Sequence, residues 1–187
     1  MPDSAYWPLQ HTVPSDVLAL ASSLKAVAFD VDGVLTDGGL YFGAGGDEYK
    51  RFHTQDGLGL KLLRSAGVDI ALITARSSAA LDARVKELGI THFYQGREEK
   101  LTAFEELISA INVRPEECCY VGDDLVDLPI MTRCGLAIAV ANANHAAKRV
   151  AHWVTQANGG AGAVREVCEL ILFAQKKLDD AVINYLR

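Results

Sequence analysis

The chain has 187 residues, enough for one domain with a full core, and no apolar run approaches the ~18 residues that cross a membrane. Half of its residues are hydrophobic and 22% are charged, an ordinary globular composition. Net charge is −6, from 18 basic and 24 acidic side chains, which argues against a nucleic-acid or anionic-membrane partner.

Residues 1–13 read as an irregular leader with neither the basic start nor the apolar core of a secretory signal. Cys118, Cys119, Cys134 and Cys168 form no Cys-x-x-Cys pair and have no His cluster at zinc spacing. They are expected to be reduced packing residues, and the location cytoplasmic.

Pro14-Ser15-Asp16 opens a short helix to about Ser23. Residues 25–30 form the first predicted strand. Two aromatic-bearing runs around Gly43-Ala44-Gly45-Gly46 predict a β-hairpin flap over 39–52. A helix is expected from Asp56-Gly57 to about Ser65, its apolar side including Leu58, Leu62 and Leu63.

An alternating rhythm follows. Strands are expected at 68–73, 92–94, 118–121, 136–140 and 153–154. Helices are expected at 77–88, 98–112, 124–131 and 144–150. The run Gly159-Gly160-Ala161-Gly162 breaks the pattern, and a last helix runs from about Ala163 into a C-terminal tail, 159–187. With no repeat or interdomain linker, 1–187 is expected to be one domain. Its class is α/β: a Rossmann-like three-layer sandwich on a mainly parallel sheet, with the small hairpin flap and no large cap domain.

Ligands of such sheets bind beyond the carboxyl ends of the strands. The first strand ends at Asp30 and Asp32, whose i, i+2 spacing places both on one face. The second core strand ends at Thr74-Ala75-Arg76. The strand over 118–121 ends at Gly122-Asp123-Asp124, with Asp127 three residues on. Lys100 starts a helix, where the dipole disfavours a cation unless it faces an anion. Asp-x-Asp alone is common in turns, Asp124 alone suits an N-cap, and Thr74 alone suits a cap. Together they gather acids, a hydroxyl and an ammonium at one sheet edge. Clustered carboxylates without His or Cys suit a hard cation such as Mg²⁺, and Lys and Thr donate to phosphate oxygens.

In order, Asp30-Val31-Asp32-Gly33-Val34-Leu35-Thr36, Thr74, Lys100 and Gly122-Asp123-Asp124-Leu125-Val126-Asp127 resemble the four motifs of the haloacid dehalogenase-like phosphatases. The resemblance implies that Asp30 is the nucleophile and Asp32 the general acid and base. Thr74 and Lys100 would hold the phosphoryl group. Mg²⁺ would be bound by Asp30, the backbone carbonyl of Asp32, and Asp123, with Asp127 and Asp124 in support. Further stretches, among them Asp56-Gly57-Leu58-Gly59, Tyr94-Gln95-Gly96 and Gly159–Glu166, resemble a capless branch of that family. That branch hydrolyses a sugar-acid phosphate in lipopolysaccharide precursor synthesis. It implies a homotetramer whose hairpins assemble between subunits and whose C-terminal tail enters a neighbouring site. Arg76 and Arg165 are then candidate contacts of an anionic substrate, and the 159–162 run fits a mobile tail; a flexible turn before a surface helix is the plainer alternative for that run.

Two departures stand out. Ala75 follows Thr74 where the family has glycine, and Phe52-His53-Thr54-Gln55-Asp56 lacks the family's asparagine and basic residue. They leave open a different substrate, such as a sialic-acid-type 9-phosphate. A phosphoacceptor signalling module uses similar residues but lacks an Asp-x-Asp-Gly nucleophile motif.

Overall fold

The computed structural model describes residues 4–186. A helix α1, Ser15–Ser22, leads into strand β1, Ala26–Phe29. A kinked turn, Val31–Leu35, then feeds a hairpin of β2, Tyr41–Phe42, and β3, Glu48–Tyr49. There follow α2 (Thr54–Ser65), β4 (Asp69–Ile73), α3 (Ala79–Leu88), β5 (His92–Tyr94) and α4 (Lys100–Ala110). The second half holds β6 (Cys118–Gly122), α5 (Leu128–Met131), β7 (Leu136–Ala139), α6 (His145–Val150), β8 (Trp153–Val154), α7 (Ala163–Ala174) and α8 (Leu178–Ile183).

The main sheet is all parallel, in the order β5-β4-β1-β6-β7-β8. Strands β1, β6 and β7 are buried along their whole length, as strands covered on both faces must be. Helices α1, α2 and α7 pack together, with α3 against α2, while α5 packs on α4 and α6. From β1 the chain moves outward through β4 to β5, then crosses back to β6 and moves outward the other way. The order therefore reverses between β1 and β6, where a crevice opens beyond the strand ends. Register levels those ends: Phe29 lies opposite Leu72 on one side and Val121 on the other.

Several expectations change in detail. Helix α2 begins at Thr54, two residues early, and its buried face is Asp56, Gly57, Gly59, Leu60 and Leu63. Leu58 points outward, at 36% exposure. The reason is close packing on α7: a Cβ on Gly59 would stand 3.0 Å from the Arg165 side chain and 3.3 Å from Cys168. The helix expected over 124–131 is a 3-10 turn, Leu125–Asp127, followed by α5. The last helix is two, α7 and α8, separated at Lys176 with φ 58°.

The glycine run, expected to fit a mobile tail, is held by close backbone contacts, and α7 after it packs into the core. Gly159 donates to Asn142 Oδ1 at 2.8 Å and Gly160 to the Val34 carbonyl at 2.9 Å. A Cβ on Gly159 would stand 1.7 Å from the Gly33 carbonyl oxygen, so the run is glycine because backbone meets backbone. The Asp56 carboxylate, buried on α2, accepts from the Arg165 and Gly162 N–H groups at 2.8 and 3.3 Å and so satisfies donors that a helix start leaves free. Glu166 reaches back to the N–H groups of Gln156 and Ala157, both at 2.9 Å. Most of α7 is then core.

Trp7, in the segment before α1, is likewise tied down: it is 1% exposed, and its ring lies 4.7 Å from that of Phe173 on α7. Trp7→Ala is expected to destabilise the protein by about 3–5 kcal/mol in urea unfolding, the usual cost of emptying an aromatic site in a core. A loss under about 1 kcal/mol would mean that the segment only rests on the surface.

Candidate active site

At the switch point the strand ends deliver their polar residues. Asp30 follows β1 directly, its N–H bonded to the Val121 carbonyl at 2.9 Å, and is buried. Asp123 follows β6. Thr74 follows β4, buried, its N–H on the Tyr94 carbonyl at 2.9 Å. Lys100 opens α4 and is buried as well.

The Lys100 ammonium bridges two acids, 2.7 Å from Asp30 Oδ1 and 2.8 Å from Asp127 Oδ1. Burial alone would lower its pKa. The charges and hydrogen bonds of Asp30 and Asp127 outweigh that and hold it above the ordinary lysine value.

Asp127 is fully engaged. Its Oδ1 accepts from Lys100 and from the Tyr120 hydroxyl at 2.7 Å. Its Oδ2 accepts from the N–H groups of Asp123 at 2.9 Å and Asp124 at 3.1 Å. Tyr120 lies inside β6 among apolar neighbours, so nothing in the sequence separates it from a core residue. Asp124 behaves as a cap: its Oδ1 accepts from the Leu125 N–H at 2.8 Å and from Asn144 Nδ2 at 2.6 Å.

Carboxylate oxygens of Asp30, Asp123 and Asp127 all lie within 4.8 Å of one another. Two such charges repel by at least about 3.5 kcal/mol at an effective dielectric near 20. Three carboxylates against one ammonium leave two negative charges uncompensated, which a dication would balance. Asp123 Oδ1 is buried with no hydrogen-bond partner, so a lone pair is free for a ligand. An all-oxygen set of this kind fits a hard cation such as Mg²⁺. Both oxygens of Asp127 are already engaged with Lys100, Tyr120 and backbone N–H groups, whereas Asp123 keeps an oxygen free. Gly33 makes the closeness possible: at φ 107° its missing Cβ would stand 2.2 Å from Asp123 Oδ2.

The Asp32 carboxylate stands apart from that triad. Its Oδ1 pairs with Lys50 of the hairpin, and its Oδ2 lies 3.4 Å from Thr74 Oγ1. Lys50 was not among the residues picked from sequence, where it reads as a solvated charge beside a hairpin. Arg76 donates its N–H to Thr74 Oγ1 at 3.2 Å, and its guanidinium lies 3.3 Å from Glu48 on the hairpin. Arg165 is not brought to this cluster by any described contact: its guanidinium pairs with Glu169 Oε1 at 2.6 Å along α7.

Burial, then the Asp127 charge, raises the Asp30 carboxyl well above the ordinary aspartate value. The same two causes push Asp123 up to about 6. Both acids titrate near 4 in an unfolded chain. The folded metal-free protein therefore holds their protons to higher pH than the unfolded chain does. The stability this gives is complete below about pH 4; the Asp123 part is lost as pH rises through about 6, and the Asp30 part is lost as pH rises through its own raised value. A cation binds the deprotonated acids, so its effect runs the other way. The urea midpoint without metal should fall between about pH 5 and about pH 7, and Mg²⁺ should raise it more at the higher pH. An equal Mg²⁺ effect at both would contradict a site built on these acids.

Comparison with known proteins agrees with this geometry. A model of the haloacid dehalogenase-like hydrolase family matches residues 96–167. A 3-deoxy-D-manno-octulosonate 8-phosphate phosphatase of Yersinia pestis is 45% identical over 179 residues, covering 96% of this chain and 94% of that one. The phosphatase of the same name from Moraxella catarrhalis, solved with a magnesium ion, a phosphate ion and 3-deoxy-D-manno-octulosonate, superposes with a TM-score of 0.89. It is 44% identical, over 91% of this chain and 98% of that chain. The cobalt-bound deoxy-D-mannose-octulosonate 8-phosphate phosphatase of Haemophilus influenzae gives a TM-score of 0.86 at 41% identity, over 90% and 99% of the two chains. The chain belongs to the haloacid dehalogenase-like hydrolase family, in the branch that holds these octulosonate 8-phosphate phosphatases.

Proposed function

We propose that this chain hydrolyses 3-deoxy-D-manno-octulosonate 8-phosphate to the free sugar acid and phosphate, with Mg²⁺, as a step in making lipopolysaccharide precursor. The observation that carries the reading is the buried set of Asp30, Asp123, Asp127 and Lys100 at the sheet switch point, in a chain 45% identical to a phosphatase of that name.

An oxygen of Asp30 attacks phosphorus while the bond from phosphorus to the sugar oxygen breaks. Asp32 gives its proton to that departing oxygen. Asp32 then takes a proton from water, whose oxygen attacks phosphorus and breaks the bond to Asp30. Phosphate leaves, and both acids return to their starting states. Lys100 has three N–H donors, of which Asp30 and Asp127 use two; the third is left for a phosphoryl oxygen, beside the Thr74 hydroxyl. Mg²⁺, held by Asp30, Asp123 and the backbone carbonyl of Asp32, would neutralise charge on the phosphoryl oxygens. Arg76, whose side chain is 42% exposed beside the hairpin, is the residue we propose to meet the substrate's anionic end. The side-chain geometry gives Arg165 no such support within one chain.

The assembly we infer is a homotetramer with sites completed by a neighbouring subunit. Leu40, Tyr41, Phe42 and Tyr49 of the hairpin are exposed, an apolar rim suited to burial against another copy. No helix among the described residues is long and apolar enough to cross a membrane. All four cysteines are free and buried, in keeping with a reducing cytoplasm.

Asp30→Asn should fold normally and lose more than about a thousandfold in phosphate release. Full activity in that variant would sink the mechanism. In a panel of sugar phosphates assayed with Mg²⁺, the octulosonate 8-phosphate should be preferred. A large preference for a nine-carbon 9-phosphate would keep the chemistry and change the substrate.

A further inference from the structure

Lys50 sits just after β3, on a surface hairpin, yet its side chain is only 2% exposed. The ammonium turns inward and meets two carboxylates: Asp32 Oδ1, and Glu48 Oε1 at 3.1 Å. The same Glu48 oxygen lies 3.3 Å from Arg76 Nη2. The Arg76 N–H reaches Thr74 Oγ1, and Thr74 Oγ1 reaches Asp32 Oδ2. The contacts close into a ring: Asp32, Lys50, Glu48, Arg76, Thr74 and back to Asp32.

A lysine gives up its hydration only where charge compensates it. The Lys50 ammonium beside it is also the leading reason that the Glu48 carboxyl lies below its usual value. The pairing divides the work of the Asp32 carboxylate. Oδ1 is occupied by a fixed cation. Oδ2 is left on the Thr74 side, where the phosphoryl group is proposed to lie.

We infer that Lys50 is a positioning residue that holds Asp32 by Oδ1, so that Oδ2 is the oxygen that carries the proton to the departing sugar oxygen. The inference rests on the acid–base role of Asp32 proposed above. It makes the hairpin part of the proton-transfer device as well as an assembly surface.

The test is a series of substituted phenyl phosphates, alike in shape and graded in leaving-group basicity, assayed with Mg²⁺. The quantity read is kcat/KM, which reports steps up to departure of the leaving group. In Lys50→Met the loss should grow with basicity, from under about threefold for the best leaving group to about ten- to a hundredfold for the poorest. Asp32→Asn should show a steeper form of the same trend. A uniform loss across the series, as substrate binding or simple hairpin anchoring would give, overturns the inference; so does no loss. A trend in Asp32→Asn without one in Lys50→Met sinks only the role of Lys50. A flat series in Asp32→Asn would remove the acid–base reading itself. Should Lys50→Met fail to fold, Glu48→Gln keeps the lysine and loosens its anchor. It should give the same trend with a smaller slope, and a flat series there also overturns the inference.

Discussion

The Lys100 ammonium between Asp30 and Asp127 is the contact on which the rest of the site depends. It joins three elements from distant parts of the chain: the end of β1, the turn after β6 and the start of α4. Each ingredient is unfavourable alone. Two carboxylates at close range repel, a buried lysine loses hydration, and an ammonium at a helix start opposes the dipole. Together they offset one another, and Tyr120 and two backbone N–H groups complete the shell of Asp127. What remains unbalanced is the charge of Asp30 and Asp123, at the ends of β1 and β6. That residue of negative charge is what a divalent cation and a phosphate ester can use.

Much of this was legible in the sequence because chemistry left a local mark. Asp30 and Asp32 interrupt an apolar strand, and Lys100 stands where a helix start disfavours a cation. Thr74 and Asp123 also end apolar runs, so the alternating pattern places all of them at one edge. The parallel sheet and hairpin followed from the same periodicities. Residues whose role depends on a distant partner were not visible. Tyr120 is one apolar-looking member of a buried strand until Asp127 folds back on it. Lys50 looks like any hairpin charge until the flap closes over Asp32. Trp7 lies in a segment without periodicity and finds Phe173 far along the chain.

The glycines misled for a related reason. In the run from Gly159 to Gly162 they suggested a mobile tail, but they mark close approach to the loop after β1 and to Asp56. In α2 the leucine spacing suggested one buried face, but Gly57 and Gly59 allowed another, closer one. Composition shows that backbone freedom is available; only the partner surface decides whether it is used for motion or for contact. The hairpin shows the complementary case. Two-residue strands do not hold themselves together, and this pair depends on the Thr36–Phe52 bridge and the buried Lys50 ion pairs to stay over the site.

The central claim is that Asp30 becomes covalently bound to phosphorus while its neighbours stay free. The most direct measurement traps that bond. Protein, Mg²⁺ and the sugar phosphate are mixed rapidly, quenched within the first turnover, reduced with borohydride and digested for mass spectrometry. Reduction of an acyl phosphate leaves homoserine in place of aspartate. Homoserine is expected at position 30, with Asp32, Asp123 and Asp127 unchanged. Homoserine at another of these positions, or phosphate release with none at all, would contradict it.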